Sequence, residues 1–545
     1  MKRFRILLLL VVIGGASLRL FAIGAKGLWL DEALSWRLAQ FPVSMMIERT
    51  GESTTVHPPL YFVLLRAWTA SFGDSEAALR SLSAVAGILA VLAVYFLAAE
   101  LASFVPRRYG PCVWRIRVCS GVLAATFLAL SPLHVYLAKQ ARGYTLATLW
   151  FVLCSWALLR GLPVGSRGWH RSAWLLYALG ALAFCYTHYL GLFSVAAQGL
   201  FVALYLWAPG WRRRLRGPAS AADAEGDCSL PSAPGGSAAN LPARSCRREA
   251  MLAGVLFLAA YLPWAPRLWA QSETVRTSWM RELDVNDCAR QTYAALLATC
   301  GIRPEESMVA SWAVVFVLVA VLVYVSVRLG WAGAYCGIAA VLPVCLLLVY
   351  SALSMRSIFD VRYLVFAQLI WLIAFAMAVA CIQHPLERYL TAGLLIVCCA
   401  TGLWDNWTLL GSQSNPGVRG AVDYILARRR ADEPVVALNA FVFFPAAYYM
   451  RETHPPPVLY VARPDRQTVA GAAQMLDADL ATADAILASE PRGIWLLSTS
   501  AFGGGANHGF PLPANWKRGR RLRFRPELHS RWDSATVVQY CYRAE

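Results

Sequence analysis

The sequence is short of charge. Only 15% of its 545 residues are Asp, Glu, Lys or Arg, and the acids, 32 against 50 bases, are the scarcer half. Soluble domains carry about 25% charged residues, so a water-soluble globular protein is excluded. Metal-ligand spacing is also missing. The fourteen cysteines form no Cys-x-x-Cys pair and no Cys/His cluster, so nothing here demands a structural metal. No internal repeat is visible. What the chain has in excess is apolar surface, with 58% hydrophobic residues and a mean hydropathy of +0.48.

A membrane span needs about 20 mostly apolar residues. About eleven stretches qualify: Ile6–Ile23, Ser81–Ala102, Val118–Tyr136, Tyr144–Leu159, Ala173–Tyr186, Leu190–Trp207, Met251–Trp269, Met308–Val327, Trp331–Tyr350, Tyr363–Ile382 and Tyr389–Trp404. Gly, Pro and Ser within them are tolerated where neighbouring helices cover the backbone. The first segment is basic and then apolar, as in a signal peptide, but Gly24-Ala25-Lys26-Gly27 is a poor cleavage site and an uncleaved first span is expected.

The net charge of +18 invites a nucleic-acid reading that the distribution rejects. Basic residues gather before the first span (Lys2, Arg3, Arg5) and after the second (Arg107, Arg108, Arg115, Arg117). They recur after the fourth (Arg160, Arg167, Arg171) and the sixth, from Arg212 to Arg248. These are alternate loops, the positive-inside pattern of a multi-pass plasma-membrane protein, bacterial inner membrane being the expected setting. The N-terminus is expected in the cytoplasm, and an odd number of spans puts the C-terminus outside. No nucleic-acid partner is implied; membrane lipids are.

The outer face then receives Gly24–Arg80, Leu137–Gly143, Thr187–Tyr189, Ala270–Ser307, Ser351–Arg362 and the tail Asp405–Glu545. Leu60–Phe72 is too short to span and reads as a helix lying at the interface, started by Pro58-Pro59. Residues 1–404 form the membrane domain, interrupted by a cytoplasmic insert at 217–244 whose Ala, Gly, Pro and Ser content predicts disorder. Residues 405–545 change composition. Val418–Arg430 and Ala472–Ala488 have helical spacing, and Pro434–Leu438, Val458–Val461 and Gly493–Ser498 read as strands. A small extracytoplasmic α/β domain follows, either covering a site or receiving a partner. Cys288 and Cys300 share one outer loop, as a disulfide or as two thiols.

The chemistry-bearing residues collect on that outer face. Asp31 and Glu32 follow the first span; His57 and Tyr61 follow them. Lys139, Gln140, Arg142 and Tyr144 flank the second outer loop, His188 and Tyr189 the third, and Arg362 and Tyr363 close the fifth. A carboxylate such as Asp31 can take a proton from an attacking hydroxyl; Glu32 can orient an acceptor or a cation. Guanidinium groups suit phosphate, though arginines at span ends also snorkel to headgroups. Protonated His57 can hold a phosphate oxygen. The tyrosines can bond phosphate or sugar, or form an aromatic belt. Transfer from a phosphate-linked sugar needs a base on the acceptor and cations on the leaving phosphate. A glycosidase would want two separated carboxyls instead.

Five stretches in order carry a likeness: Leu28-Trp29-Leu30-Asp31-Glu32, His57-Pro58-Pro59-Leu60-Tyr61, Leu79-Arg80-Ser81-Leu82-Ser83, Gln140-Ala141-Arg142-Gly143-Tyr144 and Val361-Arg362-Tyr363-Leu364. They resemble the GT-C superfamily of polyprenyl-phosphate-sugar glycosyltransferases, in the branch containing protein O-mannosyltransferases and the aminoarabinose transferase of lipid A. The resemblance implies an all-α polytopic bundle with two interfacial helices in the first outer loop. It implies Asp31 as catalytic base, Glu32 as its acceptor-side partner, and Arg142 and Arg362 on the donor phosphate. The implied reaction is inverting, with a polyprenyl-phosphate-sugar donor and a lipid, glycan or protein acceptor. It leaves room for a divalent cation and names no other cofactor. Some relatives carry Lys where His57 stands. The Trp-Trp-Asp-Tyr-Gly stretch of the oligosaccharyltransferase branch is absent, and the tail holds no sugar-binding repeats. The competing reading is a transporter or flippase of a lipid-linked molecule. Such proteins place polar residues near mid-membrane, often in repeated halves.

Overall fold

The computed structural model describes residues 2–52, 57–106, 109, 112–164, 170–208, 241–274, 282–297, 308–354, 357–410, 417–463, 465, 471–499, 509–524 and 535–544. The expected insert at 217–244 falls largely outside these residues, as does Cys300.

Every apolar segment expected to span is helical. The long helices are α1 (Lys2–Leu20), α5 (Glu76–Leu101), α6 (Val113–Leu130), α8 (Tyr144–Gly161), α9 (Arg171–Thr187), α10 (Gly191–Trp207), α11 (Leu241–Tyr261), α14 (Met308–Arg328), α15 (Gly330–Leu353), α16 (Val365–Cys381) and α17 (Pro385–Leu410). Among the described residues, eight helical stretches are long and apolar enough to cross a membrane, and the chain is an integral membrane protein. Helices α9 and α10 have seventeen residues each, and α1 carries basic residues at both ends. The core lies among α5, α6, α8, α9 and α16. Contact between α5 and α6 is close: a Cβ on Gly121 would lie 2.7 Å from the Tyr95 ring.

One expected span is broken. The segment Val118–Tyr136 becomes α6 and a separate short helix α7 (Pro132–Ala138). Pro132 has no N–H, and its ring would collide with the carbonyl of residue 128, so the helix ends there. Ser131 is extended and caps α7 by accepting the His134 N–H. The carbonyls freed by the break are filled by Arg19, which is fully buried. It donates to Leu128 O at 2.9 Å and Ala129 O at 3.1 Å. A cation at a helix C-terminus is favoured by the helix dipole.

The loop after α1 carries three helices, not two: α2 (Leu30–Gln40), α3 (Val43–Thr50) and α4 (Leu60–Phe72). Helix α4 has the expected bounds and starts directly after Pro59. Two further helices, α12 (Ala265–Thr274) and α13 (Val285–Leu297), lie between α11 and α14.

After α17 come α18 (Gly417–Leu426), β1 (Val435–Ala437), α19 (Ala440–Tyr449), β2 (Val458–Tyr460), β3 (Leu480–Ala481), α20 (Ala483–Leu487), β4 (Gly493–Thr499), β5 (Trp516–Phe524) and β6 (Thr536–Arg543). They build a sheet in the order β3-β2-β1-β4-β6-β5. Its first four strands are parallel, and β6 is antiparallel to both β4 and β5. The helix expected over Ala472–Ala488 does not form. Gly471 turns with φ +78°, the Asp479 carboxylate closes a short turn on the Leu476 N–H at 2.8 Å, and Thr482 caps the five-residue α20.

The sheet meets the bundle through α19, which packs on α2. Ala33 of α2 is fully buried in the core of this domain beside Val422, Phe443, Phe444 and Met450, with Leu30 and Leu34 packed against them.

Candidate active site

Helix α2 begins with two acids in its first turn, where the helix dipole favours negative charge. Their fates differ. Glu32 is 1% exposed, and both its oxygens are filled. Arg80 Nε donates to Oε1 and Nη2 to Oε2, each at 2.7 Å, and the Ala141 N–H adds a third bond at 2.9 Å. The same guanidinium donates to the carbonyls of Ile23, Lys26 and Gly27 at 2.8–3.0 Å. Glu32 thus ties the end of α1, the start of α2 and the turn before α8 together.

Asp31 keeps an open carboxylate. Its Oδ2 lies 3.6 Å from Arg142 Nη2 and 3.8 Å from Arg362 Nη1. Both separations exceed a direct hydrogen bond, so two cations flank the carboxylate without locking onto it. Arg142 sits at the bend between α7 and α8, where its carbonyl accepts from Ser83 Oγ at 2.9 Å. Arg362 precedes α16, held by Asp360, whose Oδ1 accepts from the Arg362 Nε and backbone N–H at 3.0 Å each.

Two histidines complete the cluster. His57 Nε2 accepts from Arg142 Nη2. Burial, and then the Arg142 cation, hold this ring neutral far below the usual histidine range. In this structure His57 is thus a neutral acceptor for the Arg142 guanidinium. His188 is held down to about 3 by burial and by Arg142. Its Nδ1 accepts the Leu190 N–H at 3.3 Å, which leaves the proton on Nε2. That buried Nε2 has no partner among the described residues.

His57, Tyr61, Arg142, Tyr144 and His188 line one cleft, with Ser35, Phe62, Gly143 and Thr187. Tyr144 lies 5.4 Å from His188, ring to ring, and Tyr363 lies 5.9 Å from it on another side. Beyond Tyr363 and Phe366 a second, shallow hollow opens between α10, α15 and α16, lined mostly by apolar residues such as Leu190, Phe193, Val344 and Leu347. A polar, cationic cleft therefore adjoins an apolar one.

No protein-family model and no curated protein matches the sequence. Solved structures do match. ArnT from Cupriavidus metallidurans aligns over 97% of both chains at 14% identity, with a TM-score of 0.52 in the apo state. Bound to undecaprenyl phosphate, it gives 0.53 at 13% identity over the same coverage. The chain has the GT-C fold. The Archaeoglobus fulgidus oligosaccharyltransferase AglB, in complex with an inhibitory peptide and a dolichol-phosphate, aligns over 90% of this chain and 69% of its own at 12% identity and 0.46.

Within this GT-C fold, three expected site residues stand apart from the Asp31 cluster. Lys139 donates to Phe21 O at 3.0 Å and closes the end of α1; burial, and then Lys26, lower it to about 8. Tyr189 donates to Gln271 at 2.7 Å and accepts from Trp264 at 3.0 Å, bracing α12. Gln140 is buried, and its Oε1 has no partner among the described residues. Tyr61 bonds Ser83 at 3.2 Å behind the cleft. No group of three or more His, Cys, Asp or Glu among the described residues could hold a metal ion.

Arg80 and Asp360 act at this site without having been singled out for a role. Arg80 carried a signal, since a cation immediately before the expected span Ser81–Ala102 requires a partner where the membrane begins. Asp360 carried one too, two residues before Arg362 with a carboxylate able to return to that residue's N–H.

Proposed function

We propose that the chain is an inverting membrane glycosyltransferase that moves a sugar from a polyprenyl-phosphate donor to an acceptor hydroxyl. The observation that carries this reading is Asp31 Oδ2 standing between Arg142 and Arg362. An acceptor hydroxyl entering beside Asp31 gives its proton to that carboxylate while its oxygen attacks the anomeric carbon. The bond from that carbon to the phosphate oxygen breaks, and polyprenyl phosphate leaves with the electron pair. Attack opposite to the leaving phosphate inverts the centre. The charge gathering on the leaving phosphate meets Arg142, Arg362 and the His188 Nε2–H, fixed donors aimed at developing charge. A phosphate leaving group is a weak base, so no general acid is required. The apolar lining beyond Tyr363 offers a surface against which the first isoprene units can lie, and undecaprenyl phosphate in the similarly folded ArnT is consistent with that assignment.

The alternation of basic loops supports placing this site on the extracytoplasmic face of a bacterial inner membrane, with the N-terminus inside and the C-terminal domain outside. Membrane lipids surround the bundle, and the acceptor is a lipid, a glycan or a protein. The test is Asp31→Asn in a strain lacking the native chain. Mass spectrometry of lipid-linked sugars and surface glycans should show the donor accumulating and one glycan missing, with the variant inserted at normal levels. Full glycan restoration by Asp31→Asn overturns the reading.

A further inference from the structure

We propose that the C-terminal domain positions the Asp31 carboxylate, and that Tyr449 is the positioning residue. This rests on the reading of Asp31 as the acceptor base.

Helix α2 has only eleven residues, and a helix that short is marginal without tertiary support. Its support comes from two bodies. On the bundle side, the Glu32–Arg80 pair holds its first turn. On the other side, Ala33 is buried in the core of the C-terminal domain and Leu30 and Leu34 pack there. The helix that carries the proposed base is therefore shared between the two.

The last turn of α19 makes that support specific. Most of α19 is apolar and buried within its own domain. Its final two residues send hydroxyls out to the bundle. Tyr449 Oη accepts the Leu28 N–H at 2.7 Å and donates to Glu76 Oε1 at 3.3 Å. Leu28 lies in the extended stretch that enters α2, three residues before Asp31. Its neighbour Gly27 is held through its carbonyl by Arg80. One phenol and one guanidinium thus grip the two polar ends of a single peptide unit, Gly27–Leu28, from the domain and from the bundle. Tyr448 donates to Asp74 O at 2.9 Å, and Asp74 accepts from Trp36 of α2 at 3.1 Å. At the far end of α2, Arg37 donates to both oxygens of Asp479 at 2.8 Å. Contacts at the entry, middle and end of one helix fix its axis and rotation. A displacement near 1 Å at a reacting group can cost about a hundredfold in rate.

The test uses full-length protein in nanodiscs and in cells. Tyr449→Phe removes the hydroxyl and keeps the ring. The expected result is a loss of about tenfold or more in glycan restored in cells. Undecaprenyl phosphate binding, a probe of the arginine side, should stay within about twofold. Amide exchange over Asp31–Ser35 should accelerate. Arg37→Asp and Asp479→Arg should each lower transfer, and the double variant should recover it to within about threefold. Unchanged transfer and exchange in Tyr449→Phe overturn the proposal, as does loss of undecaprenyl phosphate binding together with transfer, or failure of the charge swap to recover activity. Full transfer by Asp31→Asn would instead remove the base on which the proposal stands, whatever Tyr449→Phe does.

Discussion

Two carboxylates one residue apart meet arginine in opposite ways. Glu32 meets Arg80 with both oxygens at 2.7 Å, and these side chains are only 2% and 5% exposed. Asp31 meets two arginines at 3.6 and 3.8 Å and remains 23% exposed. A sealed pair with both carboxylate oxygens engaged has little left for a ligand; an open carboxylate between separated cations is still available to one. Distance and saturation, not residue type, separate the brace from the proposed base.

The largest expected effect breaks the sealed pair. Arg80→Met leaves Glu32 buried without its cation, and should cost about 3–5 kcal/mol, read as lost thermal stability in detergent and reduced insertion. Asp31→Asn should do the reverse, cutting transfer by about 10²–10⁴-fold with thermal stability held. If Asp31→Asn melts early and Arg80→Met does not, the contrast between the two acids is wrong. Arg142→Lys and Arg362→Lys keep charge but lose the planar fork; each should weaken undecaprenyl phosphate binding about tenfold by titration.

The smallest effect concerns Lys139, a cation braced against a carbonyl. Its folded value lies near 8, below the ordinary lysine value. Between about pH 8 and the unfolded value the unfolded chain holds more protons, so this group makes stability rise with pH over that window. Below pH 8 both states are charged and the slope vanishes. Lys139→Met should remove the rise, measured as the difference in melting temperature between pH 7.5 and pH 9.5.

The membrane architecture was legible because a span imposes a length and an apolarity that few other constraints can hide. Leu60–Phe72 was legible for the complementary reason, being apolar but too short. The Asp31 cluster could be read because Asp31, Arg142 and Arg362 recur in order at span ends predicted to share one face. The Glu32–Arg80 pairing was hidden because Arg80 lies 48 positions away, and local spacing on α2 says nothing about it. The break at Ser131 was marked by Ser131-Pro132, but spans tolerate proline, and the apolar residues on either side carried the expected span through it. Strand β5 escaped because its Lys517, Arg518, Arg520, Arg521 and Arg523 show none of the alternation that marks a half-buried strand. The tail expectation of one long helix over Ala472–Ala488 followed alanine spacing and missed the aspartate-closed turn that interrupts it.

A single Asp31 oxygen faces two guanidinium groups at once, so one proton is enough to cancel the counterion they share, leaving Arg362 paired with Asp360. In the proposed reaction that proton arrives from the acceptor as the departing phosphate gains negative charge. The site would hand its positive field from one anion to another in the same step, with no side chain having to travel.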